Sequence, residues 1–233
     1  ALTVFAMPMI LGSFFQQIYN MADSIIVGQF VGSSALAAVG ACAALTNVFI
    51  CVALGAGVGA GVLVSRYFGA REYGKMKTIV STSLISFLLL SIILGVFGFC
   101  FSHAMMGGLQ TPADILKEAV LYLRVYFVGF PFLFMYNILS TMFTSIGESK
   151  IPLGLLIFSS ILNIVLDLWM VAGLGLGVFG AALATLIAQG ISAVFSLLIF
   201  FYRMRRYKSS FVWFDGQELR SMLQIAVPSV LQQ

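Results

Sequence analysis

The chain has 233 residues, 61% of them hydrophobic and only 9% charged, with a formal net charge of +4 and a mean hydropathy of +1.08. A globular domain carries roughly 25% charged residues, so this composition excludes a soluble fold and leaves an integral membrane protein. The uncharged runs 78–102 and 125–147 exceed the roughly 20 residues that cross a bilayer as a helix, and strand-like alternation is absent, which predicts an all-α transmembrane bundle.

Apolar runs between polar breaks predict six spans, at 2–30, 35–64, 76–102, 117–146, 151–172 and 178–202, with a seventh helix starting near 219. The chain opens without Met or a signal-peptide pattern, which places residue 1 just inside the first helix. Basic residues gather in the 65–77 break (Arg66, Arg71, Lys75, Lys77) and in 203–220 (Arg203, Arg205, Arg206, Lys208, Arg220), while the alternate breaks carry almost none. By the positive-inside rule both ends face the cytoplasm. The charge is thereby a topology signal beside anionic lipid, and no nucleic-acid partner is expected. The division is residues 1–202 as a six-helix lobe, 203–218 as a basic and aromatic linker on the membrane surface, and 219–233 as the start of a second unit. Ala226-Val227-Pro228 echoes Ala6-Met7-Pro8 and hints at such a repeat.

In span 1, Ser13, Gln16, Asn20 and Asp23 follow helical spacing and define one polar face. Pro8 removes a backbone hydrogen bond from the same span and invites a bend, either a hinge or a static kink. Gly55, Gly57, Gly59 and Gly61 in span 2 form two overlapping small-residue patterns that admit another helix at close range. Cys42, Cys51 and Cys100 lie in apolar spans without metal or redox spacing and read as packing residues, and His103 reads as a solvated residue at the end of span 3. Span 4 brings Tyr122 and Arg124. Span 5 brings Asn163 and Asp167, four apart on one face, and span 6 brings Thr185, Gln189, Ser192 and Ser196 on another.

Asp23 and Asp167 are each the lone charge of a long apolar stretch. A carboxylate at membrane depth costs several kcal/mol unless it is neutralised, paired or hydrated, so both are candidates for an ion or proton pathway. At about 1.5 Å per residue, Asp23, Asp167, Thr185 and Tyr122 all fall within about 12 Å of the outer boundary, close enough for one shared site. Desolvation and mutual repulsion disfavour two bare carboxylates there, so the pair holds a proton or recruits a monovalent cation such as Na⁺ through Asp23, Asn163, Asp167 and Thr185. The plainer alternative is interhelical hydrogen bonding worth about 0.6 kcal/mol per contact. Arg124 either pairs with one aspartate or extends to the outer surface. No HExxH, GxSxG or phosphate-loop motif is present, so an enzyme and an ATP-driven pump are not expected, nor is a cofactor.

The chain resembles the multidrug and toxic compound extrusion (MATE) transporters. The resemblance rests on Pro8, residues 16–23 (Gln-Gln-Ile-Tyr-Asn-Met-Ala-Asp) with Val27-Gly28, residues 35–39, Tyr67-Phe68-Gly69-Ala70, 147–152, Leu162 to Asp167, and 180–182 with Ala184-Thr185. The pairing of Asp23 with the Asn163/Asp167 motif is most similar to the DNA-damage-inducible (DinF-like) branch. That implies an N-terminal lobe of a twelve-helix, two-lobe antiporter in a prokaryotic plasma membrane, whose missing partner is the C-terminal lobe of the same full-length chain. It further implies a cation site at Asp23, Tyr122, Asn137, Asn163, Asp167 and Thr185, a substrate cavity faced by Gln16, Tyr19 and Asn20, a hinge at Pro8, and export of bulky, often cationic amphipathic compounds. Asn137 fits the depth of the others poorly. Alternatives are a lipid-linked oligosaccharide flippase, which typically lines its cavity with several basic residues where this chain has only Arg124, and a non-transporting membrane scaffold.

Overall fold

A computed structural model describes residues 2–207 and 209–232, apart from the side chains of residues 2–10 and of Ser13. Among the described residues there are seven helices in chain order: α1 (Leu2–Phe30), α2 (Ser33–Gly69), α3 (Tyr73–Gly108), α4 (Ala113–Ser145), α5 (Lys150–Asp167), α6 (Gly177–Met204) and α7 (Gly216–Leu231). No strand occurs among the described residues. The helix α5 continues directly into a π-helical turn, Leu168–Gly173. Five of the helices, α2 to α6 with the π turn counted in α5, are long and apolar enough to cross a membrane.

The predicted spans and the helices coincide within a few residues, with two corrections. Helices α2 and α3 run on past their apolar stretches, to Gly69 and Gly108, because polar and charged residues sustain a helix as readily as apolar ones once it leaves the bilayer. The linker is shorter than 203–218: α6 reaches Met204 and α7 begins at Gly216. Asp215 sets that start by accepting from the backbone N–H of Gln217 at 2.8 Å and of Glu218 at 3.4 Å, a cap worth about 1 kcal/mol. The hinge expected at Pro8 falls on a side chain outside the described residues.

Helix α4 is the centre of the bundle, packed between α2, α3 and α6. Its fully buried Phe127, Phe130, Phe134 and Phe143 form edge-to-face pairs, with Phe49 at 4.8 Å from Phe127 and Phe200 at 5.1 Å from Phe143. The span 2 glycines divide between two partners. A Cβ on Gly57 or Gly61 would meet Thr141 Oγ1 at 2.9 Å or Ser145 Oγ at 2.8 Å on α4, whereas one on Gly55 or Gly59 would meet the Val230 backbone N at 2.7 Å or Ala226 Cβ at 2.7 Å on α7. One run of alternate glycines thus seats two helices on opposite flanks of α2.

The basic breaks lie together at one end of the bundle. Phe68, Tyr73 and Tyr207 stack there, Tyr73 and Tyr207 at 4.7 Å, and Arg203 pairs with Glu148 at 3.4 Å. The linker is fastened to α3: the backbone N–H groups of Val212 and Asp215 donate to Thr78 and Thr82 at 3.1 and 3.0 Å, and Ser81 donates to the Val212 carbonyl at 3.1 Å. It presents Trp213, 70% exposed, with Phe211 and Phe214, the aromatic set suited to headgroup depth.

Candidate functional site

Helices α1, α5 and α6 converge where Asp23, Asp167 and Thr185 project inward. Asn163 and Asp167 are fully buried, a helical turn apart on α5. With its amide nitrogen turned toward Asp167, Asn163 donates to Asp167 Oδ2 at 2.8 Å, and its oxygen accepts from the Thr185 backbone N and Oγ1, each at 3.2 Å. This orientation satisfies both ends of the amide, and the reverse would set its oxygen against a carboxylate. Tyr19 Oη donates to Thr185 Oγ1 at 3.4 Å. The bonds therefore run one way, from Tyr19 to Thr185 to Asn163 to Asp167, each donor polarising the next and the series ending on a carboxylate.

The half-buried Asp23 of α1 lies beside Asp167, near enough for the two carboxyls to interact. Two ionised carboxylates so placed are acceptors only and repel, and a proton or a cation between them relieves that repulsion. Oδ1 of Asp23 and Oδ1 of Asp167 are both buried without a protein partner. The pair therefore retains unused carboxyl oxygens that suit a proton or a small monovalent cation, while the Asn163 and Thr185 oxygens are engaged with each other and with Tyr19. Among the described residues, no group of three His, Cys, Asp or Glu side chains is placed to hold a metal ion.

One turn beyond the aspartates, Ile26 and Val27 of α1 pack with Val171 of the π turn and with Ala35, Val178 and Ala181. This apolar cluster flanks the site on the side away from the basic loops. On the other flank Tyr122, Tyr126, Gly129, Thr185 and Gln189 enclose a void of about 10 Å³, room for about one water. Tyr126 was not singled out in the sequence, although it lies one turn from Tyr122 on the same helix face. Its hydroxyl is buried without a protein partner.

The other candidates are placed differently. Tyr19 belongs to the hydrogen-bonded series. Gln16 and Asn20 are exposed on α1 and bond each other at 3.4 Å. The structure does not bring Asn137 to the aspartates: it lies 15 positions beyond Tyr122 along α4, about 22 Å at the helical rise, and its Nδ2 donates to the Leu133 carbonyl of its own helix at 2.8 Å. Arg124 pairs with neither aspartate. Its Nε donates to Ser102 Oγ at 3.1 Å and its guanidinium lies 5.4 Å from the centre of the Phe99 ring.

The sequence model of the MatE family matches residues 8–169, most of the chain, from Pro8 in α1 to the end of α5. The chain belongs to the MATE family. Among curated MATE-like relatives, the probable multidrug resistance protein YoeA of Bacillus subtilis is 28% identical over 98% of this chain and 51% of its own length. The multidrug export protein MepA of Staphylococcus aureus is 30% identical over 86% and 44%. A crystal structure of MATE in the bent conformation superposes with a TM-score of 0.90 at 27% identity, covering 99% of this chain and 52% of that one. MATE in the straight conformation gives 0.85 at 30% identity, with the same coverages. The chain thus spans about half the length of the relatives it matches. Members of the MATE family are transporters and not enzymes, and the chain shares their multi-pass helical membrane fold.

Asn163 is the joint of this cluster, since it ties Asp167 to Thr185 across two helices. Asn163→Ala would leave a buried carboxylate oxygen and a hydroxyl without their partner, at a cost of about 1–3 kcal/mol. A lowered midpoint in thermal unfolding of the detergent-solubilised protein checks this, and an unchanged midpoint would contradict the hydrogen-bond assignment.

Proposed function

We propose that the chain supplies the ion-coupling half of a cation-driven antiporter, H⁺ or Na⁺ moving inward against a bulky, often cationic amphipathic compound moving outward. The observation that carries this reading is the proximity of two carboxyls, the half-buried Asp23 and the fully buried Asp167, each with one buried oxygen that has no protein partner. A structural role would be met more cheaply by neutral side chains, whereas a proton or monovalent cation relieves the repulsion and can leave again. The relatives' names support the cargo, since they are a multidrug resistance protein and a multidrug export protein.

In this reading residues up to Met204 form the N-terminal lobe, the segment to Asp215 is the linker, and α7 opens the second lobe. Both basic clusters face the cytoplasm of a prokaryotic cell, which places the aspartates in the outer half of the bilayer. Tyr122 takes part from the side of the small void, and Gln16 and Asn20, on the exposed face of α1, look toward the cavity between lobes. Alternating access couples the two: occupancy by the ion favours one packing of α1 against α5 and α6, and its release favours the other. Reconstitution of the full-length protein in liposomes tests this. Efflux of ethidium should follow an imposed pH or Na⁺ gradient and vanish without one, and gradient-independent flux would reject the proposal.

A further inference from the structure

A second cavity, larger than the void beside Tyr126, lies away from the aspartates on the outer flank of the bundle. It is a groove of about 300 Å³ between α3 and α4, lined by Gly95, Val96, Phe99, Phe127, Val128 and Pro131. Two residues create it. Pro131, inside α4, has no N–H to give to the Phe127 carbonyl four residues back. Gly95 brings α3 against that carbonyl so closely that a Cβ would sit 2.9 Å from it. The helices touch at this point, and the side chains on either side splay outward, with Val96 60% and Val128 54% exposed.

Arg124 stands at the mouth of the groove. Phe99 is shared, forming the groove wall and carrying the guanidinium on its ring, while Ser102 holds Nε. No acidic side chain among the described residues lies within ion-pairing distance of it. The 33 residues of α4 span about 50 Å against a hydrocarbon core of about 30 Å, so a centred helix places the Arg124 backbone about 6 Å below the core boundary. Its side chain reaches the headgroup level from there. The groove continues inward from Phe99 and Phe127 for about 10 Å along the helix rise.

We propose that this groove is a binding site for an anionic phospholipid, with the phosphate on Arg124 and one acyl chain between Val96 and Val128. The charge complementarity decides the headgroup. An isolated guanidinium, oriented by Ser102 and Phe99 with its remaining N–H groups free, matches a phosphate bearing a net negative charge. A zwitterionic headgroup brings its own ammonium to the same phosphate. Nothing in this site touches Asp23 or Asp167, so it stands independently of the coupling reading.

Native mass spectrometry of the full-length protein, titrated with dioleoyl phosphatidylglycerol or phosphatidylcholine, tests it. The unmodified protein should retain phosphatidylglycerol about fivefold better, the effect of roughly one cationic side chain at a membrane surface. Arg124→Gln should erase that preference, and Val128→Trp, which fills the groove from its exposed side, should lower retention of both lipids. Equal retention by the unmodified protein overturns the proposal, as does an undiminished preference in Arg124→Gln. Lipid retention untouched by Val128→Trp overturns it as well, because it means that lipid binds elsewhere or another part of the protein covers the groove.

Discussion

Gradient-driven ethidium export by the reconstituted full-length protein is expected to fall to the level of protein-free liposomes in Asp23→Asn and in Asp167→Asn, with the fold retained in both. The substitution keeps the shape of the side chain and its ability to accept a hydrogen bond, so Asn163 retains a partner at position 167. It removes the one property the pair has in common, the capacity to exist with or without a proton or cation at working pH. A single remaining carboxylate can pair with the neighbouring amide and lacks the repulsion that makes ion binding reversible. Thermal unfolding should be unchanged or shifted upward, since a buried charge–charge contact is replaced by a neutral hydrogen bond. Export that persists in both variants would reject the assignment of these residues, and simultaneous loss of fold and export would point to the structural role instead.

Gly59→Leu is expected to be the most damaging change away from the aspartates. Its Cβ alone would lie 2.7 Å from Ala226 Cβ and 2.8 Å from the Met222 carbonyl, and the remaining three carbons would have to displace α7. Overpacking of this kind costs about 1–3 kcal/mol. Gly40→Leu is the control on the same helix, because a Cβ there meets nothing within 4 Å. Thermal unfolding and ethidium export should both drop for position 59 and stay near the unmodified values for position 40. Equal effects at the two positions would mean that α2 and α7 are not held in close register.

Helix positions were legible because the bilayer fixes their length and charge marks their ends, and six runs of apolar residues leave few other solutions. The polar site was legible in part through period-four spacing, which put Asn163, Asp167 and Thr185 on inward faces. Tyr126 follows the same period from Tyr122 but carries an aromatic ring, which reads as core. Asn137 illustrates the opposite limit: the family resemblance implies it as a site residue, while the helical rise places it about 22 Å from Tyr122 and its side chain bonds the Leu133 carbonyl of its own helix. The split of the four glycines between α4 and α7 depends on which helices are neighbours, and nothing local in the sequence states that. The π turn after Asp167 likewise has no periodic signature, since it adds one residue to a turn without changing composition.

The linker bonds to α3 have a mechanical consequence. With Val212 and Asp215 clamped to Thr78 and Thr82, the foot of α7 has no slack and travels with α3 as one rigid block. Tyr67 adds a strut by donating to Glu218 at 3.0 Å. Pro228, where the intrahelical bond is missing, sits two residues past Ala226 and two before Val230, so the weak point of α7 is bracketed by the Gly59 and Gly55 contacts on α2. Motion of this block would therefore carry α2, α3 and the start of α7 together and leave the connecting segment unstretched.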